Sequence, residues 1–409
     1  MLKTKILSML LLVTLLSGGC ASAYGSAVEL GTAAKLVQPE RFDSKYDADP
    51  IKQLAYATLD DVIAMDNGGN TLYSPMSLYM ALALLGDGAS GDTAAQLYGL
   101  LGVDDRDGLE AYMAATYDQM YRNDEYSKVI PALSVWYDDS VADNILPAYV
   151  ERVTNRLSAS VFSTDFADKS AGEGISKWIS GCTDGMLSPK IQTTPEQLMS
   201  IISTIYINDQ WTIKFDEANT ALGTFHNADG SESTLDFMNN TFDTHFFARG
   251  DGFTRSVLSL KSGASVVFVL PDEDVGIDGL LDGADYYEIF DGGESYSGEV
   301  VWKLPKIDFS ADYALADTLK AIGLNGIFEA DADFSDMADT QLMASEVVQG
   351  NRFAMNENGI SAASYTHIMI YGAAMPVSRA EMILDRPFVF MVRSRFDVPL
   401  FVGVYNSAE

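Results

Sequence analysis

The sequence predicts an α+β fold in a single domain spanning residues 44–409, and three features carry that expectation. Helical apolar spacing dominates from Pro50 to Tyr121. Short strands separated by turns dominate from Thr224 onward. No linker, repeat or compositional break divides the two halves. With 409 residues, 47% of them hydrophobic, the chain can bury a large core.

The elements follow in order. Pro50 to Asp66 places Ile51, Leu54, Ala55, Leu59, Val62 and Ile63 at helical spacing. Asn70 to Tyr73 reads as a short strand that runs into a helix, with Ser74 as N-cap and Pro75 as the first helical residue. The helix from Met76 to Leu85 is apolar nearly all round, which predicts a buried core helix. Thr93 to Leu101 and Arg106 to Tyr121 are amphipathic helices. Lys128 to Trp136 reads as a strand, Leu146 to Leu157 as a helix, and Ala171 to Gly185 as a helix carrying Trp178. Met199 to Asn208 is apolar on both faces and predicts a central strand. Strands follow between Thr224 and Leu270 and at Glu299 to Ile307, with a helix at Tyr313 to Ile322. Phe388 to Arg393 and Leu400 to Tyr405 form a closing strand pair.

The first residues read as an export signal. Lys3 and Lys5 precede an apolar run, Ile6 to Leu16, of signal-peptide length and too short to span a bilayer as a helix. Two exits compete. Leu16-Ser17-Gly18-Gly19-Cys20 is similar to a bacterial lipoprotein signal, which makes 1–19 the signal and Cys20 the lipidated residue. Its leucine sits one place further from the cysteine than is usual. Ala21-Ser22-Ala23 is an ordinary cleavage site, which extends the signal to 1–23. Either exit predicts export, as a cell-surface lipoprotein or a secreted, extracellular protein. Residues 20–43 read as a polar tether.

Composition excludes several functions. A formal net charge of −32 argues against nucleic acid and anionic membrane as partners, since both require a basic patch. A lipid on Cys20 is then the one route to a membrane. The two cysteines, Cys20 and Cys182, allow no disulfide framework. The histidines, His226, His245 and His367, have no second ligand at helical spacing and build neither a zinc site nor a Ser/His/Asp triad. No phosphate-binding or dinucleotide glycine pattern occurs. The expectation is a monomer with no cofactor, no metal and no enzymatic activity.

Residues Glu357 to Pro376 stand apart. Strand alternation puts Ile360, Ala362, Ser364, Thr366, Ile368 and Ile370 on one face, and Ser361, Ala363, Tyr365, His367, Met369 and Tyr371 on the other. Neither face carries a formal charge, and the bracketing Gly359 and Gly372 suit a mobile loop equally well.

Motifs in register along nearly the whole mature chain resemble the serpin family. Asn70 to Ser77, followed by Ala81-Leu-Ala-Leu-Leu-Gly-Asp-Gly-Ala-Ser-Gly-Asp-Thr93, is similar to the family's first strand and buried helix with its "SPxS" start. Ile175-Ser-Lys-Trp178-Ile and Thr183-Asp-Gly185 resemble its tryptophan helix. Ile205-Tyr206 through Trp211 to Phe215 resembles "YFxxxWxxxF". Leu304-Pro305-Lys306, Ile322-Gly323-Leu324, Met355-Asn-Glu357-Asn-Gly359, Asp385-Arg-Pro387-Phe388 and Gly403 follow in place. The resemblance is to an exported bacterial or archaeal member.

That resemblance implies three β-sheets, about nine helices, and an exposed reactive-centre loop between Glu357 and Arg386. It implies a suicide mechanism against a serine protease: loop cleavage, a covalent acyl-enzyme, then insertion of the loop's amino side into the central sheet. The hinge is Glu357, Gly359, Ile360, Ala362 and Ala363. Counting from Glu357 puts the reactive bond at Ala373–Ala374, within a window from Tyr371 to Met375. Alanine on both sides suits an elastase- or subtilisin-like enzyme, since a trypsin-like pocket requires Lys or Arg. The alternative is a non-inhibitory binding protein whose loop is a substrate only. Ser74, Ser77, Ser203 and Gln349 resemble the polar cluster beneath the point where the sheet opens. Gln349 stands where the family has histidine and Ser203 where it has asparagine, so nothing in that cluster titrates near neutral pH. Ile360 stands where the family has threonine or serine, which predicts slower entry of the loop.

Overall fold

A computed structural model describes residues 24–34, 47–344, 347–360 and 378–408. The first of two sheets runs β1 (Val28–Gly31), β5 (Ala159–Thr164), β4 (Ser127–Asp138), β6 (Met199–Gln210), β14 (Gly359–Ile360), β13 (Val348–Asn356) and β12 (Ile307–Ala314), with β3 (Arg122–Asn123) paired to β4. The second runs β15 (Arg379–Ile383), β11 (Glu294–Pro305), β8 (Glu232–Gly250), β9 (Phe253–Ser259), β10 (Ser265–Pro271), β16 (Phe388–Arg393), β17 (Pro399–Tyr405) and β2 (Thr71–Tyr73), with β7 (Ala221–His226) on β8. The three sheets implied by the resemblance form two hydrogen-bonded ladders here. The reason is β8, which pairs with β11 from Phe237 to Arg249 and with β9 from Phe247 to Gly250. One strand thereby joins the β7, β11 and β15 half to the β9, β10, β16, β17 and β2 half.

Nine α-helices lie among the described residues: α1 (Asp49–Met65), α2 (Pro75–Gly88), α3 (Gly91–Leu101), α4 (Arg106–Met120), α5 (Pro147–Arg156), α6 (Lys169–Cys182), α7 (Gly276–Leu281), α8 (Tyr286–Asp291) and α9 (Ala316–Ala321). The helix α2 is the axis of the core. The Ser74 hydroxyl accepts from the Ser77 N–H at 3.3 Å, Pro75 supplies the preset first turn, and every residue except Ala81 is buried. The strands β10, β16 and β17 are buried on both faces and apolar almost throughout, as interior strands are.

Three expectations change. The stretch read as a polar tether contains β1, which pairs antiparallel with β5 through Val28↔Ser163 and Glu29↔Phe162. A four-residue strand is too short to register in the sequence pattern, and its partner lies more than 130 positions away. The strand read to end at Ile307 is followed directly by β12, whose apolar Ile307, Phe309, Ala311 and Tyr313 alternate. The helix expected from Tyr313 therefore shortens to α9.

Candidate functional site

The site is built around the turn from β13 into β14. Asn356 ends β13, Glu357 and Asn358 make the turn, and Gly359 starts β14. Three donors from the segment after β6 hold it. The Trp211 indole donates to the Asn356 carbonyl at 2.9 Å, the Trp211 N–H to the Asn358 carbonyl at 2.9 Å, and the Phe215 N–H to the Glu357 carbonyl at 3.2 Å. Glu357 is buried, and its carboxylate accepts from the Thr220 hydroxyl at 2.8 Å and lies 3.2 Å from the Lys306 ammonium. Burial pushes this carboxyl up, but its own N–H, Thr220 and Lys306 together hold it below the ordinary glutamate value.

Gly359 and Ile360 pair on both sides, with Asn356 and Met355 of β13 and with Gln210 and Asp209 of β6. This requires β6 and β13 to stand two strand spacings apart there, about 9–10 Å. Below Ile360, no described residue pairs with the facing edges of β6 from Ser200 to Asn208 or of β13 from Val348 to Ala354. A line of cavities follows these edges. Ile360 meets Ile205, Ile207, Phe353 and Phe401 at one end. At the other, a cavity of about 300 Å³ opens between Ile201 and Ser203 of β6, Val348 and Gln349 of β13, and Leu85 of α2. The slot is one strand wide, and its walls are mostly apolar.

The four polar residues singled out from the sequence come together between the two ends of the slot. Gln349 Oε1 accepts from the Ser74 N–H at 2.8 Å, and Gln349 Nε2 donates to the Ser74 carbonyl at 2.8 Å. Ser74 Oγ donates to the Leu400 carbonyl at 2.7 Å, and the Ser77 and Ser203 hydroxyls lie 3.0 Å apart. Sequence reasoning missed a fifth member, Asn351, whose amide donates to Gln349 Oε1 at 3.0 Å. It also missed Asp209, buried beside the turn, whose carboxyl burial pushes up to about 6. The alternation of β13 could have flagged Asn351, two residues on from Gln349.

Other sequence-predicted residues lie elsewhere. Cys20, Ala362, Ala363, Ala373 and Ala374 fall outside the described residues. The histidines stay apart: His226 faces Glu232, His245 stacks on Phe242, and His367 is outside the described residues. Cys182 ends α6, half-buried, and burial pushes its thiol up to about 11, which makes it a poor nucleophile at neutral pH. Among the described residues no group of three or more His, Cys, Asp or Glu gathers as a metal site, and no helix is long and apolar enough to cross a membrane.

The comparisons agree with this architecture. The family model described as serpin (serine protease inhibitor) matches residues 50–408. Serpin-Z1C of Triticum aestivum is 30% identical over 359 residues, covering 82% of this chain and 89% of that protein. Serpin-ZX of Hordeum vulgare is 28% identical over 381 residues, covering 87% and 94%. In fold, the chain is similar to the thermophilic serpin tengpin in its native state, with a TM-score of 0.79 and 24% identity over 93% of this chain and all of that one. It is also similar to thyroxine-binding globulin in complex with thyroxine, with a TM-score of 0.77 and 20% identity over 88% and 98%. The compared sequence relatives are plant proteins and lend no support to an exported bacterial or archaeal origin. By its family match, its fold and the motifs that hold its hinge, the chain belongs to the serpin family.

Proposed function

We propose that the protein is a suicide-type inhibitor of an elastase- or subtilisin-like serine protease. One observation carries this reading: Gly359 and Ile360 already sit as a strand between β6 and β13, at the head of a slot one strand wide. The protease serine attacks the Ala373 carbonyl, the Ala373–Ala374 amide breaks, the Ala374 amine leaves, and Ala373 remains as the acyl-enzyme ester. The loop's amino side then extends β14 down the slot and drags the protease with it before water hydrolyses the ester.

The residues suit this motion. Ile360 is buried with its side chain among Ile205, Ile207 and Phe353. Alternation therefore sends Ala362, Ser364, Thr366, Ile368 and Ile370 to the same core-facing side. No charge or proline interrupts the run before Pro376. Main-chain bonds and three buried isoleucines give an upper gain on the order of 10–20 kcal/mol before the cost of ordering the loop. The reading includes export, with the chain held by a lipid on Cys20 or released after Ala23, and action as a monomer.

The test is incubation with an elastase-like protease. An SDS-stable complex is expected, and mass spectrometry of the released fragment is expected to begin at Ala374. Clean cleavage without complex sinks the trapping model and leaves a substrate.

A further inference from the structure

The segment 24–34 packs on the surface formed by α6, β5 and α5, and its fit there is close. The Tyr24 carbonyl lies where a Cβ on Gly174 would come within 2.4 Å, so α6 accepts the segment only because glycine stands at 174. The Ser26 and Ser170 hydroxyls are 2.9 Å apart, and Ala27 is buried. The Tyr24 ring meets Trp136 of β4 and Phe162 of β5 edge-on, at 6.4 and 5.6 Å. Further along, β1 hydrogen-bonds to β5, and Gly31 lies where a Cβ would come within 2.8 Å of Val150 and Thr154 of α5. The Ala34 N–H donates to the Thr154 carbonyl at 2.9 Å, and the Ser158 hydroxyl donates to the Ala34 carbonyl at 2.9 Å.

The other end of α6 reaches the slot. Met186 and Leu187, just past the helix, line it together with Thr204 to Tyr206 of β6 and Gly350 to Arg352 of β13. Arg352 of one wall donates to the Met186 carbonyl at 3.4 Å, and Tyr206 of the other donates to Asp184 at 3.5 Å. The helix and its following loop thus bridge the slot at one end and are pinned by the amino-terminal segment at the other.

We propose that residues 24–34 are a strap that binds the α6–β5–α5 surface in cis and restrains α6, so that its occupancy sets how readily the slot between β6 and β13 opens. A strand cannot pass down the slot while residues 183–187 bridge both walls. Lifting them tilts α6, and a pinned α6 tilts less easily. The consequence for the loop rests on the insertion reading above; the restraint itself does not.

The test uses two variants of the full chain and reads backbone hydrogen exchange without any protease. Gly174→Val displaces the strap from α6, and Gly31→Val displaces it from the α5 side without touching α6. Both are expected to speed exchange in 183–187 and 199–208 by about tenfold or more, the effect of about 1.4 kcal/mol. Faster exchange in 24–34 with unchanged exchange in 183–187 in the Gly31→Val chain overturns the strap. If the exchange result holds while wild type traps no protease, the strap stands and the inhibitor reading falls.

Discussion

Gly359 lies against the carbonyl oxygen of Asp209 so closely that a Cβ there would come within 2.1 Å, and its φ of +152° is one that side chains rarely adopt. The head of the slot is therefore closed to any residue but glycine. Gly359→Ala is expected to expel β14 from between β6 and β13, with strain of about 1–3 kcal/mol. The check is the ratio of complex to cleaved protein on an SDS gel, which should move toward cleaved protein. An unchanged ratio removes the seated β14 from the mechanism.

Ala362 is two residues past Ile360 and, by alternation, on the same core-facing side. Proline there removes one ladder donor and fixes φ, so zipping stalls at its second step. Ala362→Pro is expected to turn the inhibitor into a substrate, cleaved at the same bond without an SDS-stable complex. Trapping at the wild-type level would refute insertion as the source of inhibition.

Gln349 makes two bonds to the Ser74 backbone and accepts a third from Asn351, all buried. Truncating it leaves the Ser74 N–H and carbonyl without those partners, at a cost of about 1–3 kcal/mol. Gln349→Ala should lower the urea midpoint by a corresponding amount at unchanged slope. Ser203→Ala, which removes only one hydroxyl contact with Ser77, should cost less than Gln349→Ala.

The parts of this architecture legible in the sequence are those whose signal is local. The Ser74-Pro75 cap and the apolar run after it predict α2, and Met355 to Gly359 predicts a hinge. What the hinge is tied to is not local: Thr220 lies 137 positions from Glu357, and Trp211 lies 145 from Asn356. The polar types at Ser74, Ser77, Ser203 and Gln349 are visible in the chain, but the two-point bond between Gln349 and Ser74 exists only once β13 lies beside the start of α2. The strand β1 was hidden for a related reason, since Val28-Glu29-Leu30-Gly31 acquires its meaning from the exposed edge of β5.

Asp209 gives the hinge region a pH dependence that the uncharged cluster around Gln349 lacks. Its carboxyl is fully buried, pairs with no described cation, and accepts only long bonds of 3.3 Å from the Ser262 N–H. Burial raises it from an ordinary 3.8 to about 6. A raised carboxyl favours the protonated folded form, so its stabilising contribution is full below the ordinary value and is lost as pH rises through about 6. Between pH 4 and pH 7 this amounts to about 3 kcal/mol. Glu357 acts in the opposite sense and in a lower window: held below its ordinary value, it loses its contribution only as the medium becomes more acidic than that value. Melting temperature measured across pH 4 to 7 should therefore fall more steeply in the wild type than in Asp209→Asn, whose amide stays neutral throughout. Parallel profiles for the two proteins would show that Asp209 is ionised at no cost and that the turn beside it is indifferent to pH.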